Sequence, residues 1–480
     1  DRVGVYLEKR FETVAALFGA AAAGCVFVPV NPLLKPRQMA HILKDCNVRV
    51  LVTSSVRLEG LSAVLPECSD LEVVVVVDDA RPHEDLVPDG VALTTWADLG
   101  SAGARSARVP HRVIDTDMAA ILYTSGSTGL PKGVVLSHRN MLTGAYSVSS
   151  YLENRPDDRI LLVLPLSFDY GFSQLSTAFV VGAEVVLMNY LLPRDVIHMV
   201  ARERVTGLAG IPSLWNQLLN LEWPAEANRS LRYITSTGGV MPRATVAALR
   251  RLLPKTRIFL MYGLTEAFRS TYLPPAEVDR RPNSIGKAIP NAEILVVRED
   301  GSLCAPGELG ELVHRGPLVA LGYWNDPERT AGWFRPAPAR PDGICTPEIA
   351  VWSGDTVRMD EEGYLYFVGR RDEMIKSSGY RVSPSEIEEV LYANGLVGEA
   401  VAVGVPHPLL GQVIAVVATA PKGCRLDAEA LLRTCRGQLP SYMVPQQIIE
   451  RDTLPRNPNG KIDRTALRVE LEARLGKVEK

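Results

Sequence analysis

The stretch YTSGSTGLPKGV, residues 123–134, sets four aliphatic hydroxyls, three glycines and one lysine within twelve positions. Small donors around a single cation suit a polyphosphate. Gly126, Gly129 and Gly133 allow close backbone approach to an anion. Thr124, Ser125, Ser127 and Thr128 add hydroxyl donors, and Lys132 adds a charge that can reach an outer phosphate. The apolar AAILY before the loop reads as a strand; VVLSHRNMLTGAYSVSSYL after it reads as an extended piece and then a helix. A glycine loop at the end of a parallel strand is where α/β folds hold phosphates. It is not the GxxxxGK[ST] loop, since the sixth position from Gly126 is Pro131 and Gly133 follows the lysine. A plain Gly/Ser linker fits poorly between two structured apolar segments.

The elements that must position this loop alternate. TVAALFGAAAAG and PRQMAHILKDCN read as helices, and CVFVPV, VRVLVT and LEVVVVVDD as buried strands. Residues 80–115 read as a connecting region. The alternation resumes through RILLVLPL (159–166), GAEVVLM (182–188), GLAGIPSLWNQLL (207–219) and RYITSTGG (232–239), which predicts a largely parallel α/β sheet. GELGELVHRG (307–316) and GYLYFVGR (363–370) predict a smaller β-rich subdomain, and RPAPARPDGICTP (335–347) an exposed loop. Beyond Arg371, SPSEIEEVLYANG (383–395) reads as a helix with Ser383 or Ser385 as N-cap. VGEAVAVGVP and VIAVVATA follow as strands, then DAEALLRTCRGQLP as a second amphipathic helix. The expectation is an α/β protein: a large N-terminal domain over 1–371, built of parallel α/β sheets with the small β-rich subdomain, and a small α+β domain over 372–480.

Composition excludes several classes. The 480 residues are 46% hydrophobic and 22% charged, as in ordinary globular proteins, and long enough for two domains. A net charge of -3 gives no general pull toward nucleic acid or anionic membrane. Seven cysteines without a C-x-x-C pair argue against a disulfide framework or structural zinc and fit a reducing compartment. AALFGAAAAGCVFVPV (15–30) lacks charge but is short for a membrane span. No signal peptide is visible, although the chain does not begin with Met. A cytoplasmic protein with no membrane span and no nucleic-acid partner is expected.

Four further stretches follow in order: YGLTE (262–266), SGD (353–355), GRRDEMIKSSGYRVSPSEIE (369–388) and NPNGKIDR (457–464). Together with residues 123–134 they resemble the ordered motifs of the adenylate-forming superfamily of acyl-CoA synthetases, amino-acid adenylation domains and luciferases. The resemblance covers essentially the whole chain. Members usually begin some tens of residues earlier, so DRVGVYLEKR is expected to lie inside the fold. The implied reaction uses ATP and Mg²⁺: a carboxylic acid becomes an acyl-AMP, and a thiol, CoA or phosphopantetheine, then takes the acyl group. The resemblance places Thr124, Ser125, Gly126, Ser127, Thr128, Gly129 and Lys132 on the phosphates, Glu266 on Mg²⁺ and Thr265 by the α-phosphate. It stacks Tyr262 on adenine, puts Gly238 and Gly239 between adenine and the acyl pocket, and sets Asp355 and Arg370 at the ribose. Lys461 would reach the carboxylate and α-phosphate from a small mobile C-terminal domain. Asp372 would be the hinge, with Lys376 and Gly379 at the thiol channel.

One stretch departs from the acyl-CoA synthetase pattern. LPLSFDYGFSQL (164–175) carries Phe168-Asp169 and no histidine. Phe-Asp occurs there in amino-acid adenylation domains, so Asp169 could pair with a substrate ammonium; it could equally cap the helix YGFSQLSTAF. An insertion over 335–352 separates Phe334 from Ser353. The combination resembles bacterial acyl-CoA ligases associated with exosortase systems. The acyl pocket is expected from Phe168, Asp169, Tyr170, Gly171, Trp215, Ser236 and Met261, and bulky Trp215 with polar Asp169 argues against a long alkyl chain. The competing readings are loading of a discrete carrier protein, a luciferase-type oxygenase, and a catalytically silent nucleotide-binding protein. The presence of Lys132, Glu266, Asp355 and Lys461 argues against the last.

Overall fold

Runs of β-branched residues bounded by helices build two sheets in the large domain. A computed structural model describes residues 1–78, 84–104, 111–124, 131–338, 343–370, 373–377, 380–407 and 411–475. In the first sheet, Met118–Thr124, Val26–Pro29, Arg2–Tyr6, Val48–Thr53, Val73–Val76 and Ala92–Thr95 pair in that order, all parallel. Lys132–Ser137 and then Gly322–Tyr323 extend its other edge antiparallel. The region 80–115 is therefore more than a connection: Ala92–Thr95 is an edge strand and Trp96–Ala104 a helix. Sparse apolar patterning hid them, because edge strands need less hydrophobic cover.

The second sheet holds five adjacent parallel strands, Glu184–Leu187, Arg159–Leu162, Gly207–Gly210, Tyr233–Ser236 and Arg257–Tyr262. It continues antiparallel through Thr271–Leu273, Ser284–Ala288, Leu365–Arg370, Ile349–Met359, Leu309–Arg315 and Glu293–Val297. The β-rich part is thus joined to the large sheet by continuous strand pairing. Phe334–Pro336 pairs with the long strand Ile349–Met359, so the start of the insertion is ordered in the sheet while 343–347 is exposed.

Helices His138–Leu152 and Asp169–Val181 lie between the sheets and are largely buried. Ser137 caps the first, its hydroxyl accepting from the Asn140 amide at 3.2 Å. The Asn140 side chain donates to the carbonyls of Pro317 and Val319 at 2.7 and 2.9 Å, fixing the segment that leads to Tyr323. Helix Asp169–Val181 approaches its own lead-in so closely that a Cβ on Gly171 would lie 2.0 Å from the Pro165 carbonyl oxygen.

The small domain is a five-stranded sheet with helices Pro384–Ala393, Ala428–Gln438 and Arg464–Leu475. Ser383 stands at the N-cap of the first, but its hydroxyl bonds the Val368 carbonyl instead of capping. The expected boundary at Asp372 lies outside the described residues, as does Gly379. Lys376 lies in the strand Ile375–Ser377. The third helix, absent from the sequence reading, packs Leu467 and Leu471 against Val401, Val403 and Val417. Arg464 pairs with Glu388 at 2.6 Å, anchoring the helix that follows the lysine loop. Among the described residues no helix is long and apolar enough to cross a membrane.

Candidate active site

Thr124 closes its strand and Lys132 opens the next, and the two face each other in register. The glycine-hydroxyl sequence therefore connects two antiparallel strands. Its residues Ser125, Gly126, Ser127, Thr128 and Gly129 lie outside the described residues. Lys132 points into a buried cluster. Its ammonium donates to Glu266 Oε1 at 3.2 Å and to the Tyr323 hydroxyl at 3.0 Å. Tyr323 in turn donates to the same carboxylate oxygen at 2.6 Å. Trp333 flanks the ammonium, 4.9 Å from ring centre to Nζ. Burial pushes the Glu266 carboxyl up, but the Lys132 charge and the Tyr323 hydrogen bond outweigh it and hold the group below its ordinary value. Glu266 is an anion at neutral pH.

A second cluster joins the two parts of the large sheet. Asp355 and Arg370 are direct register partners on antiparallel strands, with their charged ends 3.5 Å apart. Tyr262, at the end of the last parallel strand, donates its hydroxyl to Asp355 Oδ2. Burial and the adjoining Asp355 charge raise the Tyr262 phenol far above its usual range. The Ser353 hydroxyl receives the Asp355 amide at 3.1 Å and donates to the Leu312 carbonyl at 2.7 Å, so the SGD motif is locked to the neighbouring strand.

The residues expected to line an acyl pocket gather at the C-terminal ends of three adjacent parallel strands, where Gly210 lies beside Ser236 in register and Tyr262 ends the third. This is the edge at which open α/β sheets bind ligands. Phe168 and Tyr170 meet edge to face at 6.0 Å, Trp215 is fully buried, and the Met261 sulfur accepts the Tyr151 hydroxyl at 3.0 Å. The helix-cap role open to Asp169 is not what the geometry gives. Phe168 holds the N-cap position, and Asp169 Oδ1 accepts the Thr265 hydroxyl at 3.2 Å. Burial raises the Asp169 carboxyl above its usual value, against the opposing fields of Arg269 and Lys461.

Lys461 arrives from the small domain. Its loop is braced by Arg456, which donates to the Gly460 carbonyl at 3.0 Å and pairs with Glu399 at 2.6 Å. The loop docks through Asn31, which donates to the Pro458 carbonyl at 3.0 Å, and Ser213, which donates to that of Gly460 at 3.2 Å. The Lys461 ammonium sits 4.9 Å over the Phe168 ring. Gly238 has φ +84°, and a Cβ there would come within 2.9 Å of Lys461 Cε, so the glycine makes room for the lysine. Gly239 follows it, against Pro212. Burial lowers the Lys461 ammonium, with Asp169 and Glu266 opposing.

The structure thus links Lys132, Glu266, Thr265, Asp169, Gly238 and Lys461 in one buried cluster, whose field Arg370 also feels, with Tyr262 and Asp355 beside Arg370. Tyr323, Trp333 and Arg269 also belong to the cluster and were missed by the sequence reading. Arg269 could have been noticed as the lone charge in AFRSTYL directly after the YGLTE motif; no local signal marks the other two. Among the described residues no group of three or more His, Cys, Asp and Glu side chains could hold a metal alone. Mg²⁺ commonly takes one or two carboxylates and completes its shell with phosphate oxygens, so a lone buried anionic Glu266 beside the phosphate loop fits it.

A buried lysine–carboxylate pair, a carboxylate–tyrosine–arginine cluster and a lysine brought by a second domain fit a nucleotide-dependent acid-activating enzyme. Sequence profiles agree: that of AMP-binding enzymes matches residues 1–324, and that of the AMP-binding enzyme C-terminal domain residues 386–461. The chain belongs to the AMP-binding enzyme family. It is 31% identical over 508 residues to a long-chain-fatty-acid–CoA ligase of Salmonella typhimurium, covering 99% of this chain and 86% of that protein. The anthranilate CoA ligase AuaEII, solved with anthranoyl-AMP, superposes with a TM-score of 0.86 at 25% identity, covering 99% and 88%. The O-succinylbenzoate CoA synthetase of Bacillus subtilis, solved with ATP and magnesium, gives 0.78 at 26%, covering 98% and 89%.

Proposed function

We propose that this protein is an AMP-forming acyl-CoA ligase whose reaction centre is the space between Lys461, Asp169, Thr265 and Glu266. The observation that carries this reading is the placement of Lys461, delivered by the small domain into the buried pocket at Gly238. A carboxylate oxygen of the acid attacks the α-phosphorus of ATP, the bond to the bridging oxygen breaks, and pyrophosphate leaves. Lys461 holds the two anions together while like charges would otherwise repel, and its fixed position makes the stabilisation preorganised. Lys132 holds the departing phosphates and Glu266 would hold Mg²⁺, which when bound neutralises phosphate charge. Asp355 accepts hydrogen bonds from the ribose hydroxyls, exchanging the Tyr262 hydroxyl for them. In the second step the CoA thiol attacks the acyl carbon, its proton goes to solvent, and AMP leaves. Lys376, Gly379 and Asp372 are assigned to the thiol path and hinge on the resemblance of their motif.

The test is ATP–pyrophosphate exchange with Mg²⁺ across amino, short-chain, aryl and fatty acids, followed by thioester detection on CoA and on a phosphopantetheinylated carrier protein. Acid-dependent exchange with thioester on CoA is expected. Exchange with thioester only on the carrier would move the acceptor. ATP binding without exchange on any acid would overturn the ligase reading.

A further inference from the structure

Three buried side chains at this end of the large sheet keep four donors without partners among the described residues. Arg269 is 1% exposed, and among the described residues its Nε and Nη2 have no hydrogen-bond acceptor; the same holds for Trp215 Nε1 and Ser236 Oγ. Arg269 is brought inward by an uncommon turn. Phe268 has φ 54° and ψ −47°, and the Arg269 amide donates to the Ala267 carbonyl at 2.6 Å. This is a γ-turn of the strained hand, costing on the order of 1–3 kcal/mol in a residue other than glycine. Packing holds it: the Phe268 ring is fully buried, filling the space that a Cβ on Gly144 would need. The guanidinium lies 4.9 Å over the Tyr170 ring, and the Tyr170 hydroxyl meets Thr235 Oγ1 at 2.5 Å. Thr235 and Ser236 point to opposite faces of their strand, so Arg269 and Tyr170 lie on the Thr235 face, while Trp215, packed on Gly210, the register partner of Ser236, lies on the other.

Among the described residues no carboxylate pairs with this cation. Asp169 is near enough for its field to be felt, yet no ion pair within 4.0 Å joins the two, and Asp169 is taken by Thr265. A buried guanidinium without an acceptor is costly and is stabilised by an anion that completes it. Nε and Nη2 form one edge of the guanidinium, the edge whose two parallel N–H bonds match the two oxygens of a carboxylate. A substrate ammonium would instead meet Arg269 and Lys461, both cations whose fields already reach Asp169.

We propose that Arg269 binds a second carboxylate on the acyl substrate, so that the acid activated here is a short dicarboxylic acid, one end adenylated beside Lys461 and the other held by the Nε–Nη2 edge of Arg269. The inference rests on the ligase reading above. Tyr170, fully buried against the guanidinium, and Lys461, whose charge is felt by Arg269, set the two carboxylates a short distance apart.

The test compares matched pairs, linear or aryl dicarboxylic acids against monocarboxylic acids of equal length, by ATP–pyrophosphate exchange in the full chain. The wild type should prefer the diacid by about a hundredfold or more in kcat/KM, as polar sites reject analogues lacking the bonded group. Arg269→Met should bring the ratio within each pair close to one, while Arg269→Lys retains part of it. ATP binding, followed by nucleotide fluorescence, reports whether each variant is folded; if the Met variant is not, the Lys variant and the wild-type ratio decide. Exchange with monoacids or amino acids in preference to diacids would overturn the proposal and leave the ligase reading intact. An unchanged ratio in a folded Arg269→Met would also overturn it. Exchange with no acid at all would overturn the ligase reading itself.

Discussion

The two halves of the site handle buried charge in opposite ways. On the phosphate side every described charge is matched within the protein: Lys132 with Glu266 and Tyr323, Asp355 with Tyr262 and Arg370. On the side proposed for the acyl group, Arg269 keeps its Nε and Nη2 donors unmatched among the described residues. The difference follows from how the ligands differ. A nucleotide common to many acids can be met by pairs that exchange partners, so the empty site stays neutral and stable. An acyl group that must be told from others is better recognised by groups that only it satisfies, because a wrong acid leaves them unpaired. Lys461 stands at the border and belongs to neither half until the small domain has docked.

The largest way to break this arrangement is Lys461→Ala. Adenylate formation should fall by about 10²–10³-fold, the usual loss when one preorganised donor is removed from a charge-developing site. Thioester formation from supplied acyl-AMP should change little. Pyrophosphate release and thioester yield, measured separately, check the split; equal losses in both steps would remove Lys461 from its assigned place.

Glu266→Gln tests the matched half. It leaves Lys132 buried at 16% side-chain exposure beside a neutral partner. A loss of about 3 kcal/mol in urea unfolding at neutral pH is expected, as for a broken buried pair. Because the native Glu266 carboxyl lies below its ordinary value, its stabilisation is present above the unfolded value. It is lost as pH falls through the native one. The gap between wild type and variant should therefore close on acidification; a gap independent of pH would mean that the carboxylate contributes shape and not charge.

Asp169→Asn probes the border from the acyl side, and here the sign reverses. Burial raises the native Asp169 carboxyl, so ionising it costs stability, and the cost grows as pH rises through and above the carboxylate range. The variant should be more stable than wild type at neutral pH and lose that advantage in acid. Exchange activity should nonetheless drop at least about tenfold, since Lys461 loses a buried counter-charge. Thermal unfolding at several pH values alongside exchange assays separates the two effects. A variant that is less stable at neutral pH would show that Asp169 is a net stabiliser of its surroundings.

Much of this was legible in the sequence, and what was not has a common cause. The hydroxyl-glycine loop, YGLTE, SGD and the lysine loop are local patterns, and buried strands such as Val73–Val76 and Arg159–Leu162 announce themselves by apolar runs. Tyr323 reaches Lys132 from 191 positions away and Glu266 from 57, through a two-residue strand with no patterning of its own. Arg269 owes its inward direction to one strained residue, Phe268, whose conformation no propensity favours. The edge strand Ala92–Thr95 was missed because half-exposed strands lack an apolar run. The resemblance to a family could not supply these either, since it speaks only for positions inside the motifs.

The smallest perturbation is the sharpest test of the matched half. Tyr323→Phe removes one hydroxyl that donates to Glu266 and accepts from Lys132, and leaves the ring under the ammonium in place at 4.5 Å. The loss should be about 1.5 kcal/mol, the net worth of one hydrogen bond to a charged group at its low end. Without the donor, the Glu266 carboxyl should titrate closer to its ordinary value, so the acid-induced loss of stability should begin at higher pH than in wild type. Combining the change with Glu266→Gln in a double-mutant cycle should give a coupling of about 1 kcal/mol. Additivity would mean that Tyr323 packs against Lys132 without sharing its charge with Glu266, and the matched half would then be a simple ion pair.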